Sequence, residues 1–468
     1  MTLIWLAIFV PPAALAGRRK IRPLNSMTTP PAITHRAILA IAVPMMFAYL
    51  STALEGSIAT SAIGQLGVAS LSAGIAIAAI LFDILLVSLN FLRSTALGLS
   101  AIALGAGKIQ EARAVIQRSL VLAFLLGLVI ALFRGPEARY GLSWLGGQGP
   151  VLQAAVDYAL IRALSAPFAL GNYAILGALL GHGKAMAGLA LQLLLNAVNI
   201  AVCLSAVLVL HWGIKGAAWA SVAGESTAFL AGIVWLHCLA GPLYRGFSDA
   251  LRHGWGWRQM GRLNRDTLIR TVALLFSFAF FTRQGASLGT AVLAANAIHL
   301  QFFALASNGL DGFAAAAEQF AGRMLGAGNA RGFRRAVRLT LGWSLAMGAL
   351  LSLVYLRFGR DFIALLSQVP QIRAAAAASL VWAALVPLIA APAFQLDGVF
   401  IGATWSRDMR NMMLLSLAIF IAGWALLMPR LGNAGLWLAF LIFLGARGLT
   451  LGAVLPARLR LHFQTLGA

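Results

Sequence analysis

Leu104-Gly105-Ala106-Gly107 returns as Leu325-Gly326-Ala327-Gly328, 221 positions downstream, and the neighbours of each copy return with it. Leu66-Gly67 precedes the first copy and Leu288-Gly289 the second; Arg113-Ala114-Val115 follows the first and Arg335-Ala336-Val337 the second. Further on, Gly213-x-x-Gly216 is matched by Gly432-x-x-Gly435. A nearly constant offset close to half of a 468-residue chain means two copies of one folding unit. In a chain that spans a membrane, paired halves are a common construction of transporters that rock about a central site.

The composition places the chain in a membrane. It is 61% hydrophobic and 10% charged, whereas soluble domains carry about 25% charged residues. Twelve apolar segments follow one another, each near or above the ~20 residues that cross the hydrocarbon core. They fall at 37–63, 69–104, 119–135, 150–180, 185–210 and 213–240, then 265–288, 291–324, 336–357, 372–402, 408–429 and 432–456. The expected fold is all-α and integral to the membrane, with twelve transmembrane helices in two six-helix lobes. Six helices per half leave both halves in the same orientation, so the lobes are related by a pseudo-two-fold axis along the membrane normal. The expected organisation is an N-terminal extension over 1–36, an N-lobe over 37–240, a polar linker over 241–264, a C-lobe over 265–456 and a tail over 457–468. The second segment of each half exceeds a straight span, so those helices are expected to tilt or to bend at an internal glycine.

The net charge of +22 is read as orientation and not as nucleic-acid binding. With both termini inside, the inner connections hold Arg113, Lys184, Arg245, Arg252, Arg258, Arg262, Arg331, Arg334 and Arg335 among others, and the outer ones are sparse in Lys and Arg. The N-terminus and the C-terminus are therefore expected on the cytoplasmic side. Cys203 and Cys238 lie in apolar segments and form neither a disulfide framework nor a zinc motif. Met1 to Gly17 is a short apolar run followed by Arg18, Arg19, Lys20 and Arg22, the reverse of the charge order of a secretion signal. The reading is an over-extended start or a dispensable segment ahead of Met27.

Only thirteen acids are present, and seven fall in membrane segments: Glu55, Asp83, Asp157, Glu225, Asp311, Glu318 and Asp397. An ionised side chain at the bilayer centre costs at least ~2.5–3.5 kcal/mol, so each of these is paired, faces water or exchanges a proton. Glu55, in Leu54-Glu55-Gly56-Ser57, has no base within a helical turn, and Asp311 and Asp397 sit deep in the second half. These three are the candidates for cation coupling. Glu318 is expected to pair with Arg323, Asp83 with Arg93 or a neighbour, and Glu225 to bond locally beside Ser226 and Thr227. Arg283, beside Gln284 in the seventh segment, is expected to be buried against a second-lobe acid. Asn196 and Asn199, three apart on the fifth segment, share a face and are candidates for the substrate cleft, as are Arg283 and Gln284. No HxxxH or HExxH pair and no Walker A sequence occurs, so neither a metal site, a cofactor, an enzymatic activity nor direct ATP drive is expected.

These residues together resemble the multidrug and toxic compound extrusion (MATE) family, and within it the DinF-type bacterial subgroup. The resemblance is carried by Ile63-Gly64-Gln65-Leu66-Gly67, Phe91-Leu92-Arg93-Ser94-Thr95, Leu293-Ala294-Ala295-Asn296-Ala297, Leu310-Asp311-Gly312-Phe313-Ala314 and Leu396-Asp397-Gly398-Val399-Phe400-Ile401-Gly402-Ala403-Thr404, across 37–456. It implies a secondary exporter in the bacterial inner membrane, moving organic and often cationic compounds against H+ or Na+. The implied partners are a small-molecule substrate, the ion and the bilayer, and the implied state is a monomer. The family places an Asp just before the Thr that stands here as Thr60, and this chain has Ala59; it places another where this chain has Cys203 after Asn196, Asn199 and Ile200. Glu55 is one turn before Ala59 on the same face, about 6 Å along the axis, and is expected to take over the titrating role. The alternatives are a lipid or polyprenyl-linked glycan flippase of the same superfamily, for which the Arg lie too much in loops, and a transport-impaired homologue.

Overall fold

A computed structural model describes residues 32–464 apart from 253, so the expected extra segment ahead of Met27 lies outside the described residues. The helices are α1 (His35–Gly64), α2 (Ala69–Ser88), α3 (Phe91–Gly105), α4 (Ile109–Leu132), α5 (Arg134–Trp144), α6 (Gly149–Arg162), α7 (Ala166–Gly181), α8 (Ala185–Leu204), α9 (Gly213–Ala240), α10 (Phe247–Arg252), α11 (Gly254–Ser287), α12 (Thr290–Gly326), α13 (Ala330–Leu366), α14 (Pro370–Gly402), α15 (Ser406–Leu431) and α16 (Asn433–Gln464). Among the described residues eleven spans are long and apolar enough to cross a membrane, with α2–α3 and α6–α7 each making one of them. The twelfth long helix is α11, whose apolar run 271–282 is bracketed by Arg270 and Arg283. It begins at Gly254, inside the stretch expected as linker.

The Leu-Gly-Ala-Gly motif has two physical jobs, one for each glycine. The second glycine ends its helix in the left-handed region, Gly107 at φ 73° and Gly328 at φ 65°. The amide of Lys108 then reaches back to the Ala103 carbonyl at 2.8 Å, and that of Asn329 to Met324 at 3.0 Å. This is the double-bonded glycine cap that satisfies the last carbonyls of a helix. The first glycine has no side chain because another backbone occupies its place. A Cβ on Gly105 would strike the Arg323 carbonyl, and one on Gly326 would strike the Ile102 carbonyl. The two motifs therefore pack on each other, α3 against α12.

The same 221-residue offset governs the packing inside each lobe. Gly127 abuts Pro167 and Gly348 abuts Leu388; Gly177 abuts the Arg93 carbonyl and Gly398 that of Ala314; Gly181 abuts the Leu97 carbonyl and Gly402 that of Glu318. Each second pair is the first shifted by 221, so the repeated sequence builds two copies of one helix arrangement.

The long span in the first half does not bend at a glycine as expected. It breaks at Leu89-Asn90, where the Asn90 side chain accepts a 3.2 Å hydrogen bond from Arg93 Nε. Its counterpart α12 runs unbroken for 37 residues.

The chain enters and leaves the bundle at one end, the base. There a single hydrophobic core is shared by both lobes, with Ile38, Leu97 and Leu180 packed among Phe313, Phe320 and Phe400. Toward the far end the cores separate, one around Phe82, Phe91 and Leu170 in the N-lobe and one around Phe281, Phe303, Trp437 and Phe440 in the C-lobe. In the C-lobe core His299 joins three helices: its Nε2 lies 3.0 Å from the Ala376 carbonyl and its Nδ1 2.8 Å from Tyr355 Oη. A carbonyl only accepts, so Nε2 carries the proton and Nδ1 accepts from the tyrosine.

Candidate functional site

α1 carries Glu55 about 14 Å short of its far end, in a stretch where Ala53, Leu54, Gly56, Ser57 and Thr60 are exposed and Glu55 itself is half-buried. Asn199 on α8 stands beside the carboxyl, and Arg162 on α6, Glu225 on α9 and Asp83 on α2 lie within electrostatic range. Cys203, one turn beyond Asn199, faces the same carboxyl. Arg162 donates to Glu225 Oε1 at 2.6 Å and to Ser165 Oγ, and its guanidinium stands 5.5 Å from the Phe82 ring centre. Glu225 Oε2 is buried without a hydrogen-bond partner. The N-lobe set thus comprises Glu55, Asp83 and Glu225 around the single cation Arg162.

The expected pair of asparagines divides its work. Asn196 donates to Ser51 Oγ on α1 at 2.8 Å, whereas Asn199 donates to Ser221 Oγ on α9 at 3.4 Å and stands beside Glu55. Both are buried and join helices at the Glu55 level.

The C-lobe set is built differently. Asp397, on α14, accepts from Arg447 of α16 at 2.6 Å and from Arg270 of α11. Asp311, half-buried on α12, lies among Arg93, Arg270, Arg447 and Asp397. Glu318, one to two turns nearer the base, accepts from Arg93 at 3.4 Å. Three carboxyls here face three guanidiniums, so the C-lobe set is balanced where the N-lobe set is not.

Several expected pairings are replaced. Arg93 crosses to Glu318 in the other lobe and does not pair with Asp83, because the break at Leu89-Asn90 puts α2 and α3 out of helical phase. Asp83 is exposed and has Arg162 as its charged neighbour. Arg323 does not pair with Glu318; its guanidinium donates to the His182 carbonyl at 3.3 Å. Glu225 pairs with Arg162 and not merely with its neighbours, and Asp157 meets Lys215 at 3.5 Å on an exposed surface. Arg283 is exposed near the end of α11, and the neighbouring Gln284 is half-buried. The bases that neutralise Asp397 are Arg270 and Arg447, and the Arg are therefore less confined to loops than the sequence suggested. Arg162 and Arg447 are charged members of the two sets that helical spacing alone does not single out. The signal for both was available, since each is a lone base within an apolar segment, as Arg283 is.

The sequence profile of the MatE family matches residues 44–204 and again 267–424, one copy in each lobe. The chain belongs to the MatE family. It is 36% identical to DNA damage-inducible protein F of Escherichia coli over 425 residues, 90% of this chain and 91% of that one. It is 27% identical to Protein DETOXIFICATION 43 of Arabidopsis thaliana over 337 residues, 71% of this chain and 62% of that one. Among solved structures, a MATE protein in the bent conformation superposes with a TM-score of 0.86 at 17% identity, over 96% of this chain and all of that one. An outward-facing multidrug resistance MATE family transporter gives 0.84 at 17%, over 95% of this chain and all of that one. A MOP superfamily transporter from Pyrococcus furiosus gives 0.83 at 16%, over 95% of this chain and 99% of that one. At these identities the structures share the fold. The twelve-helix, two-lobe architecture is that of MATE proteins, and the chain is a multi-pass membrane transporter, as family members are.

Proposed function

We propose that this protein is an inner-membrane exporter of organic, often cationic compounds, driven by inward flow of H+ or Na+ and working as a monomer by alternating access. The observation that carries the coupling is the charge inventory of the N-lobe set: three carboxyls, Glu55, Asp83 and Glu225, share one guanidinium, Arg162. Carboxylates crowded around one cation repel one another, most strongly where one of them is buried as Glu225 is, and uptake of a cation or a proton relieves that repulsion. Glu55 is the member next to the exposed stretch of α1 and is the proposed coupling acid, with Asn199 orienting its carboxyl. Asp311 and Asp397 are the rival positions, but they sit in a set whose charges already cancel.

The basic connections at the base support both termini facing the cytoplasm. In that orientation the shared core seals the cytoplasmic side and the separated far-end cores open outward. A proton arriving from outside then meets Glu55 first. Substrate leaves as the lobe rearranges, and deprotonation inward resets the cleft; each ligand biases the equilibrium only through its different affinity for the two states. Asn196, Arg283 and Gln284 remain candidate cleft residues on this reading, with Arg283 and Gln284 near the open end.

Purified protein in liposomes, given a pH gradient and a fluorescent organic cation, tests the assignment. Wild type should exchange the dye for protons, and Glu55→Gln should keep dye exchange while losing its dependence on the gradient. Coupling that survives Glu55→Gln but is lost in Asp311→Asn would move the role to the C-lobe. Gradient-independent movement of a pyrophosphate-linked lipid, with no dye exchange, would favour the flippase reading.

A further inference from the structure

The lobes meet along a seam at the base, and its composition is unusual for a permanent contact. Glycines bring backbones together: Gly98 lies against the Ile401 carbonyl, Gly312 against the Ala42 carbonyl and Gly322 against the Gly98 carbonyl, which a Cβ there would meet at 3.4 Å. Between these close approaches run polar links from lobe to lobe. Thr95 Oγ1 donates to Asn264 Oδ1 at 2.6 Å, Arg323 donates to the His182 carbonyl, and Arg93 donates to Glu318. With α2–α3 taken as one span, all of these residues lie in the base-side halves of their spans or, for His182, in the turn after α7.

On α12 at the seam, Glu318, Gln319 and Arg323 are all buried polar side chains. A permanently closed interface of this kind gains nothing from burying Glu318, which is only 2% exposed. Burying an ion pair is weak as a stabiliser, yet removing one partner is severe because the other charge stays buried. Such a pair suits a contact that must form in one register and still come apart.

We infer that Arg93 and Glu318 are positioning residues for the lobe movement, a charged latch that closes the base of the cleft in register and whose release lets the lobes part there. Arg93 is held for this by Asn90 at the break in its span, and Tyr49 of α1 and Asp311 of α12 are the other titratable groups beside it. The inference rests on the alternating-access reading but not on which acid couples, and its test requires no transport.

Thr95 supplies the reporter, because it is buried where α3 meets α11 of the other lobe and a threonine-to-cysteine change adds little volume. Thr95→Cys is made together with Cys238→Ser, which leaves the buried Cys203 as an internal control. In nanodiscs, where both faces are accessible, a membrane-impermeant maleimide reaches the thiol of Thr95→Cys only when the base opens. Glu318→Gln and Arg93→Glu should each raise the labelling rate at least tenfold. The exchanged pair Arg93→Glu with Glu318→Arg should return it to within about threefold of the parent. Single variants that label at the parent rate would overturn the inference, and so would an exchanged pair as fast as the singles. Labelling of Cys203 marks an unfolded variant; should Arg93→Glu show it, Glu318→Gln and the exchanged pair carry the test. Gradient-coupled transport lost in Glu55→Gln with unaltered Thr95→Cys labelling would separate the coupling acid from the latch.

Discussion

Gly326→Ala should push the lobe equilibrium toward a base-open state without harming the fold of either lobe. The added methyl would meet the Ile102 carbonyl oxygen, its carbonyl carbon at 2.8 Å and its Cα at 3.0 Å. Carbon atoms rest at about 3.5–4.0 Å and the carbonyl oxygen is closer still, so α3 and α12 must separate by roughly 1 Å at this level. Neither partner can yield by rotating a side chain, since the obstacle is backbone. Overpacking of this kind costs about 1–3 kcal/mol. Alanine also favours helix by about 1 kcal/mol over glycine, but α12 is expected to be helical whether or not the seam is closed. That gain cancels from the lobe equilibrium and would mask the clash in a melting experiment. A shift of 1–3 kcal/mol changes the ratio of states by about 5- to 150-fold. Spin labels on Lys108→Cys and Arg331→Cys, in the Cys238→Ser background, flank the two glycine turns and are both exposed. Their distance distribution should lengthen in Gly326→Ala, and by a similar amount in Gly105→Ala, whose methyl meets the Arg323 carbonyl. A distribution identical to the parent in both variants would refute the idea that these glycines set the closed state.

Two further outcomes follow from buried charge. Asp397→Asn leaves Arg270 and Arg447 without their carboxylate and should lower stability by about 3–5 kcal/mol, read as a large drop in melting temperature in detergent; adding Arg447→Gln should restore part of it. His182 lies in the turn after α7, where burial holds its imidazole down to about 4 from the ordinary 6.5, against the opposing hydrogen bond to Ala178. The unfolded chain therefore binds the proton first, and stability should fall as pH drops from about 6.5 toward 4. Between pH 7 and 4.5 this should remove on the order of 2–3 kcal/mol, and His182→Asn, which keeps a donor for the carbonyl, should flatten that part of the melting-versus-pH curve. A variant as acid-sensitive as the parent would assign the loss to other groups.

The helices were legible because a span is a local property of about twenty residues, and the duplication because its offset is a property of the chain alone. The partners of the charged residues were not legible. Arg93 and Glu318 are 225 positions apart and meet only because both lobes fold and dock. Helical spacing suggested Asp83–Arg93 and Glu318–Arg323, which are local pairs, and the structure replaced both with tertiary ones. Arg283 shows the same limit from the other side. An apolar neighbourhood in sequence implied burial, yet the residue lies near a helix end and is exposed. Glu55 has no base within one turn of its own helix, and Arg162, which conditions its surroundings, belongs to another helix.

The contact between the two Leu-Gly-Ala-Gly motifs has a symmetry that reaches beyond this chain. Gly105 touches residue 323 and Gly326 touches residue 102, and each of these is the other shifted by 221. That is the defining rule of an isologous interface, where the same patch on two subunits faces itself across a two-fold axis. A single half carrying this patch would be self-complementary and would assemble as a homodimer around the same seam. Fusion of the halves keeps the glycines, which both sides need, and frees everything else to diverge. Ile102 and Arg323 already differ, and so do Leu97 and Glu318. A latch made of one acid from one half and one base from the other is a device that two identical subunits could carry only twice or not at all.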